Sequence, residues 1–240
     1  MGKKRQWVML GVIAVIVGHL AVGEILRQLG LHGLALAGIS EVISLGLLAL
    51  LVGRDWREAL KVSPQHLGRG IAMLWPILFV GLGNLLAAIQ VDTAITQRLL
   101  AVVVALMVAV FEEGLFRGVI FGGLRKANWM GHLWGQMTAS AAIFGSLHLV
   151  NLLNGQSLLA TVMQVIYAFA LGMLFAAIVV RTGSLLSGML GHGLIDALGL
   201  QSGVVSIGSP DATTVGVYLG MSMILLAWAL FITRPAKRVA

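Results

Sequence analysis

Long apolar runs separated by short polar breaks organise this chain. They fall at Trp7 to Ile25, Leu34 to Val52, Ile71 to Ile89, Leu99 to Leu124, Leu133 to Leu153, Leu158 to Val180, Leu185 to Leu200 and Val215 to Ile232. Most run to about 20 residues, the length a helix needs to cross a ~30 Å hydrocarbon layer at 1.5 Å per residue. The pattern predicts an all-α, polytopic membrane helix bundle of about eight transmembrane helices. The seventh run is the shortest and the richest in glycine breaks, so it is expected to be tilted or partly buried among its neighbours. The longest polar break, Gly53 to Gly70, has room for a short interfacial helix. Gly208 to Thr214 reads as an exposed outer loop.

Composition agrees with this picture and narrows it. Of the 240 residues, 59% are hydrophobic and 10% charged, and eight spans with short loops leave no room for a separate soluble domain. Residues 1–240 therefore read as a single transmembrane domain in contact with the lipid bilayer. The net charge of +7 comes from single basic residues between apolar runs rather than from a basic stripe, so no nucleic-acid partner is expected. Topology explains the charge instead. Alternating the spans from a cytoplasmic N-terminus leaves only Arg27 and Arg98 of the 16 Lys and Arg residues on the far side, as the positive-inside rule requires. Both termini are then cytoplasmic, and in a prokaryote the membrane is the inner one. Lys3, Lys4 and Arg5 precede a run too long for a signal peptide, which reads as a retained first helix. With no cysteine, disulfides, thiolate catalysis, iron–sulfur clusters and the usual structural zinc sites are excluded.

Ionisable groups inside apolar runs are costly, about 2.5 to 3.5 kcal/mol each near the bilayer centre, and are functional candidates by default. The fourth run carries Glu112, Glu113 and Arg117. On a regular helix Glu113 and Arg117 share a face and can pair, while Glu112 is turned about 100° away. Glu112 is then left for general-base work. Gly114, Gly118 and Gly122 recur every four residues beside the carboxylates, a stripe that lets another helix approach. In the fifth run Phe144 and His148 share a face. In the seventh, Asp196 can orient His192 through one ring nitrogen and leave the other free. Measured from the helix ends, Glu113, His148 and His192 all lie roughly 12 to 18 Å deep, which argues for one site. His19 has no partner visible in the sequence, and His32, His66 and His132 fall in or near loops.

Buried carboxylates and imidazoles together suit activation of water against a carbonyl without a serine or cysteine nucleophile. No His-Glu-x-x-His zinc motif is present. Gly81-Leu82-Gly83-Asn84 lacks the carboxylate of intramembrane aspartyl proteases, and Ser187-Gly188 is a faint match to the rhomboid serine motif. The ordered set Glu112-Glu113-x-x-x-Arg117, Phe144-x-x-x-His148, Phe169-x-x-Gly172 and His192-x-x-x-Asp196 resembles the motifs of the CPBP family. That family includes type II CAAX prenyl endopeptidases, bacteriocin-processing and self-immunity proteins and other glutamic-type intramembrane proteases. The resemblance spans about residues 98 to 200, which it marks as the catalytic core.

The resemblance implies a glutamic-type endopeptidase with no cofactor. Glu112 would activate water held by His148, and Glu113 and Arg117 would support the site. His192 and residue 196 would stabilise the oxyanion, while Phe144, Phe169 and Gly172 would shape the substrate cavity. The substrate would be a peptide or protein with a hydrophobic or lipidated segment, such as a membrane-associated tail or a leader peptide. One position departs from the family: Asp196 stands where asparagine is usual, and an ionised carboxylate cannot donate a hydrogen bond. Either Asp196 is kept protonated by its buried surroundings or, the favoured expectation, it holds His192 as an imidazolium that donates alone. Two other readings use the same residues: a metal-dependent protease with Glu112, Glu113, His148 and His192 as ligands, and a non-catalytic immunity or partner-binding membrane protein or proton-coupled carrier.

Overall fold

The computed structural model describes residues 3–53, 60–202 and 209–234, and each apolar run is helical in it. In chain order the helices are α1 (Lys3–Gln28), α2 (Gly33–Val52), α3 (Leu67–Met73), α4 (Trp75–Ala88), α5 (Ile95–Glu112), α6 (Leu133–Leu147), α7 (Leu158–Thr182), α8 (Leu186–Ser202) and α9 (Ala212–Ile232). α5 continues directly into a π-helical stretch, Glu113–Phe121, and a last α-turn, Gly122–Lys126. α6 runs into a 3₁₀ turn, His148–Leu152. No strand occurs among the described residues.

Five helices are long and apolar enough to cross a membrane, and the pair α3 and α4, bent by 54°, makes a sixth if counted as one span. The bend has a local cause. Pro76 sits in the first turn of α4, where its missing N–H and fixed φ start a helix but cannot continue one. α6 and α8 are shorter, at 15 and 17 residues, and half of α8 is buried by its neighbours. Large aliphatic side chains such as Leu50 and Leu153, each about 80% exposed, cover the outside of the bundle, a surface suited to lipid rather than water. The protein is an integral, multi-pass, all-α membrane protein.

Two sets of contacts tie helix ends together. At one end, Arg27 in the last turn of α1 donates to Asn154 beyond α6 at 2.7 Å, and Arg98 at the start of α5 reaches Gln201 at the end of α8. At the other, Ser63 N–H donates to Ser184 Oγ at 3.0 Å while Ser184 Oγ donates to the Ser63 carbonyl at 2.8 Å. There too Trp228 Nε1 donates to the Met73 carbonyl at 2.9 Å. The residues joined at each end are those the charge alternation assigns to one side.

The expected interfacial helix lies in part outside the described residues, which omit 54–59 and with them Arg54, Asp55, Arg57 and Glu58. So do Gly208, Lys237, Arg238 and the side chains of Lys3, Lys4 and Arg5. The rest of the outer loop ends at Asp211, whose Oδ1 accepts the Thr214 N–H at 2.7 Å and caps α9. That hydrogen bond holds the Asp211 carboxyl below its usual range.

α7 is the central helix, packed between α6 and α9, and α8 lies along α5. Small residues allow the close packing: Ala168, Ala170, Ala176 and Ala177 on α7 are all buried. On α8 a Cβ at Gly193 would stand 2.9 Å from Leu106 of α5, and one at Gly191 2.7 Å from Leu74 in the α3–α4 bend. The seventh run is therefore pressed into the bundle, as its glycines suggested.

Candidate active site

The two glutamates stand where α5 changes winding. Glu113 opens the nine-residue π-helical stretch, a wide i→i+5 winding that is rare except as single turns and is often found at functional sites. Glu113 is fully buried, and Arg117 Nη1 lies 2.9 Å from its Oε1. The expected pair therefore forms. The guanidinium is held between two aromatic faces, with its carbon 4.4 Å from the Phe144 ring centre and 5.4 Å from that of Phe175. A Cβ on Gly172 would come 3.2 Å from Arg117 Nη2 and 2.9 Å from the Ala141 Cβ, so only glycine lets α7 close over this cation.

The glycines of the fourth run act separately rather than as one stripe. A Cβ on Gly114 would meet Leu48 of α2 at 2.9 Å, whereas one on Gly122 would meet no other helix within 4 Å.

His192 is enclosed by carboxylates. Its Nδ1 lies 2.9 Å from Glu113 Oε1, and its Nε2 lies 3.2 Å from Glu112 Oε2 and 3.4 Å from Asp196 Oδ2. The ring stacks on Phe175 at 5.4 Å. The expectation that Asp196 leaves one ring nitrogen free is thus corrected: both nitrogens face carboxylates. The reason is the approach of α8 to α5. At Gly188 a Cβ would stand 3.2 Å from Glu113 Oε2, and without one His192 reaches between the two glutamates. Glu112 likewise has a partner, on another helix where the sequence could not show it. An imidazole that meets ionised carboxylates at both nitrogens donates from both, as the imidazolium does.

Glu112 and His148 line one cavity of about 230 Å3, together with His19, Phe111, Phe116 and Asn151. His148 Nδ1 lies 3.3 Å from the Phe144 carbonyl. A carbonyl only accepts, so Nδ1 carries the proton, and in the neutral ring Nε2 carries the lone pair. Phe144 packs edge-on against both His148, at 5.3 Å, and His192, at 5.9 Å. Its part is to space the imidazoles and cover Arg117. Phe169 and Gly172 act at the α6–α7 seam and not in the cavity lining, with the Phe169 backbone N 3.2 Å from where a Cβ on Gly145 would be.

Sequence reading missed a second polar group beside this cavity. His19 Nδ1 lies 2.7 Å from Ser44 Oγ and 4.0 Å from Glu41 Oε1, and its ring stacks on Phe111 at 4.9 Å. A signal was present: Ser40, Glu41 and Ser44 place three polar residues on one side of an otherwise apolar run. Among the described residues no three His, Asp or Glu side chains are grouped so that they could hold one metal ion.

Residues 94–198 match the model of a protein family described as type II CAAX prenyl endopeptidase, Rce1-like. The match covers the segment that carries all four motifs and runs from the start of α5 to Leu198, near the end of α8. No curated protein and no solved structure matches the chain.

Proposed function

We propose, from the Rce1-like match over residues 94–198, that this protein is an intramembrane endopeptidase that hydrolyses a peptide bond with water activated by Glu112, without a metal. The observation that carries the reading is that Glu112 and His148 face one cavity while a carboxylate–imidazole–guanidinium network holds them from behind. A water between them gives one proton to a Glu112 oxygen and the other, as a hydrogen bond, to His148 Nε2. Its lone pairs are then free for a carbonyl. As the water oxygen bonds to the carbonyl carbon, its proton passes to Glu112 and the carbonyl oxygen becomes an oxyanion.

His192 links these two events. Its Nε2–H faces Glu112 and Asp196 in the resting site. A carboxyl that has taken up a proton is a far weaker acceptor than a carboxylate, so protonation of Glu112 removes the nearer acceptor and lets this N–H be shared between Asp196 and the oxyanion. When the tetrahedral species collapses, the carbon–nitrogen bond breaks and Glu112 returns its proton to the departing amine. Glu113 at Nδ1 keeps the imidazolium charged throughout, and Asp196 orients its Nε2–H. Asp196→Asn is therefore expected to stay close to the wild-type kcat, because the amide oxygen still accepts from Nε2. Asp196→Ala is expected to fall about 10²-fold, the size typical of a lost oxyanion contact. Equal losses in the two variants would refute this role.

The segment assigned to catalysis, residues 98–200, contains all of these groups. Eight crossings with both termini cytoplasmic is the topology we propose, supported by the helix-end contacts Arg27–Asn154 and Ser63–Ser184. The substrate is a peptide or protein with a hydrophobic or lipidated segment that reaches the cavity from the bilayer. The test is digestion of a peptide library, including lipidated tails, by the purified protein in detergent with a strong chelator present. Cleavage at defined bonds is expected. Cleavage that stops with chelator would favour the metal-dependent reading, and no cleavage by folded protein would favour the immunity or carrier reading.

A further inference from the structure

The cavity is lined by a further histidine, His19, to which the proposed mechanism gives no part. Ser44 has a single hydroxyl proton and lies 2.8 Å from the Ser40 carbonyl, to which it must donate. Toward His19 Nδ1, 2.7 Å away, Ser44 can therefore only accept, so Nδ1 carries the ring proton. Glu41 Oε1 at 4.0 Å from the same nitrogen favours that placement, and Glu41 Oε2 is buried without a hydrogen-bond partner among the described residues. Phe111 holds the ring face. Nε2 is then a lone pair on a ring that lines the cavity with Glu112 and His148.

A water molecule has two protons, and the proposed mechanism gives both away, to Glu112 and to His148 Nε2. A third acceptor in the same cavity needs a different donor. A peptide substrate brings one kind in quantity, its main-chain N–H groups, and each must find an acceptor once it leaves water. We infer that His19 Nε2 accepts a main-chain N–H of the bound peptide next to the scissile bond, with Ser44 and Glu41 as the positioning residues that fix its tautomer. This inference rests on the protease reading. It places substrate binding on α1 and α2, outside the segment that matches the family model. It also defines a substrate class: peptides with a free N–H at that position, which excludes proline there.

The test is a cycle between enzyme and substrate. A peptide cleaved by the wild type is resynthesised with a single N-methyl group at each of the two residues on either side of the scissile bond. At one of these positions the wild type is expected to lose about tenfold in kcat/KM, the worth of one such hydrogen bond. His19→Ala should start about tenfold lower and lose nothing further from that methyl group. Side-chain geometry separates binding from structural support. The Gln oxygen can replace Nε2, whereas the Asn amide replaces Nδ1, so His19→Gln should keep more activity than His19→Asn. If the two roles were reversed, and His19 only braced Ser44, Asn would be the better substitute.

Methyl penalties that are the same in the wild type and in His19→Ala at every position would overturn the inference. If that cleavage still depended on Glu112, the protease reading would stand. Absence of cleavage by the wild type would overturn both together.

Discussion

Glu112→Gln is expected to lower kcat by about 10² to 10⁴-fold, the range for loss of a positioned general base, with KM and folding almost unchanged. The reason lies in how little else the substitution alters. Glutamine keeps an oxygen that can accept from His192 Nε2, which lies 3.2 Å from Glu112 Oε2, and the imidazolium retains Glu113 and Asp196 as carboxylate partners. The side chain is partly open to the cavity, so the amide can be hydrated there. What is lost is the ability to take a proton from water. A fall in kcat and kcat/KM by the same factor is the signature of a contact made only in the transition state. Steady-state kinetics on a cleaved peptide, with thermal unfolding in detergent as the control for folding, measures both. A variant that kept wild-type kcat would move the base to another residue and end the assignment of Glu112.

Glu113→Gln provides the contrast. Glu113 is closed off from the cavity and sits against Arg117 and His192, so its loss should appear in stability as well as in rate. The difference between the two adjacent glutamates was half legible in the sequence. The Glu113–Arg117 spacing disclosed that pair, because residues four apart share a helix face whether the winding is α or slightly wider. The partner of Glu112 could not be read that way, since His192 lies 80 residues further on and meets it only because glycines on α8 allow close approach.

The same limit explains His19. A histidine alone in a first span has no local signal, and its partners Ser44 and Glu41 belong to the next helix. Periodicity within a segment discloses which face carries the polar groups. Distances between segments depend on packing, which a lone sequence does not contain. The eight apolar runs were legible for the opposite reason: an apolar stretch of about 20 residues has one low-energy form in lipid, the helix that satisfies its own backbone. The break at Leu74 has a local signal in Pro76, whereas the π-winding after Glu112 leaves none in the apolar pattern.

Arg117→Met is expected to cost about 3 to 5 kcal/mol of stability, the penalty for leaving a buried carboxylate without its cation. Glu113 is fully buried and has Arg117 and His192 as its charged neighbours, so methionine fills the volume and leaves the charge. Denaturant or thermal unfolding in detergent should show the loss. Adding Glu113→Gln to Arg117→Met removes the stranded charge, and the double variant is expected to recover most of the stability, because a buried ion pair replaced by neutral groups is often close to neutral overall. Activity should not recover with it. Glutamine leaves His192 with no negative charge at Nδ1, so the imidazolium that serves the oxyanion loses its main support. The cation has a second task as well, since the Phe144 and Phe175 rings that enclose it also pack against His148 and His192. A double variant restored in both stability and rate would show that the network is needed only for folding. Restored stability with a rate still reduced would show that the buried pair is kept for the geometry it imposes on the two imidazoles.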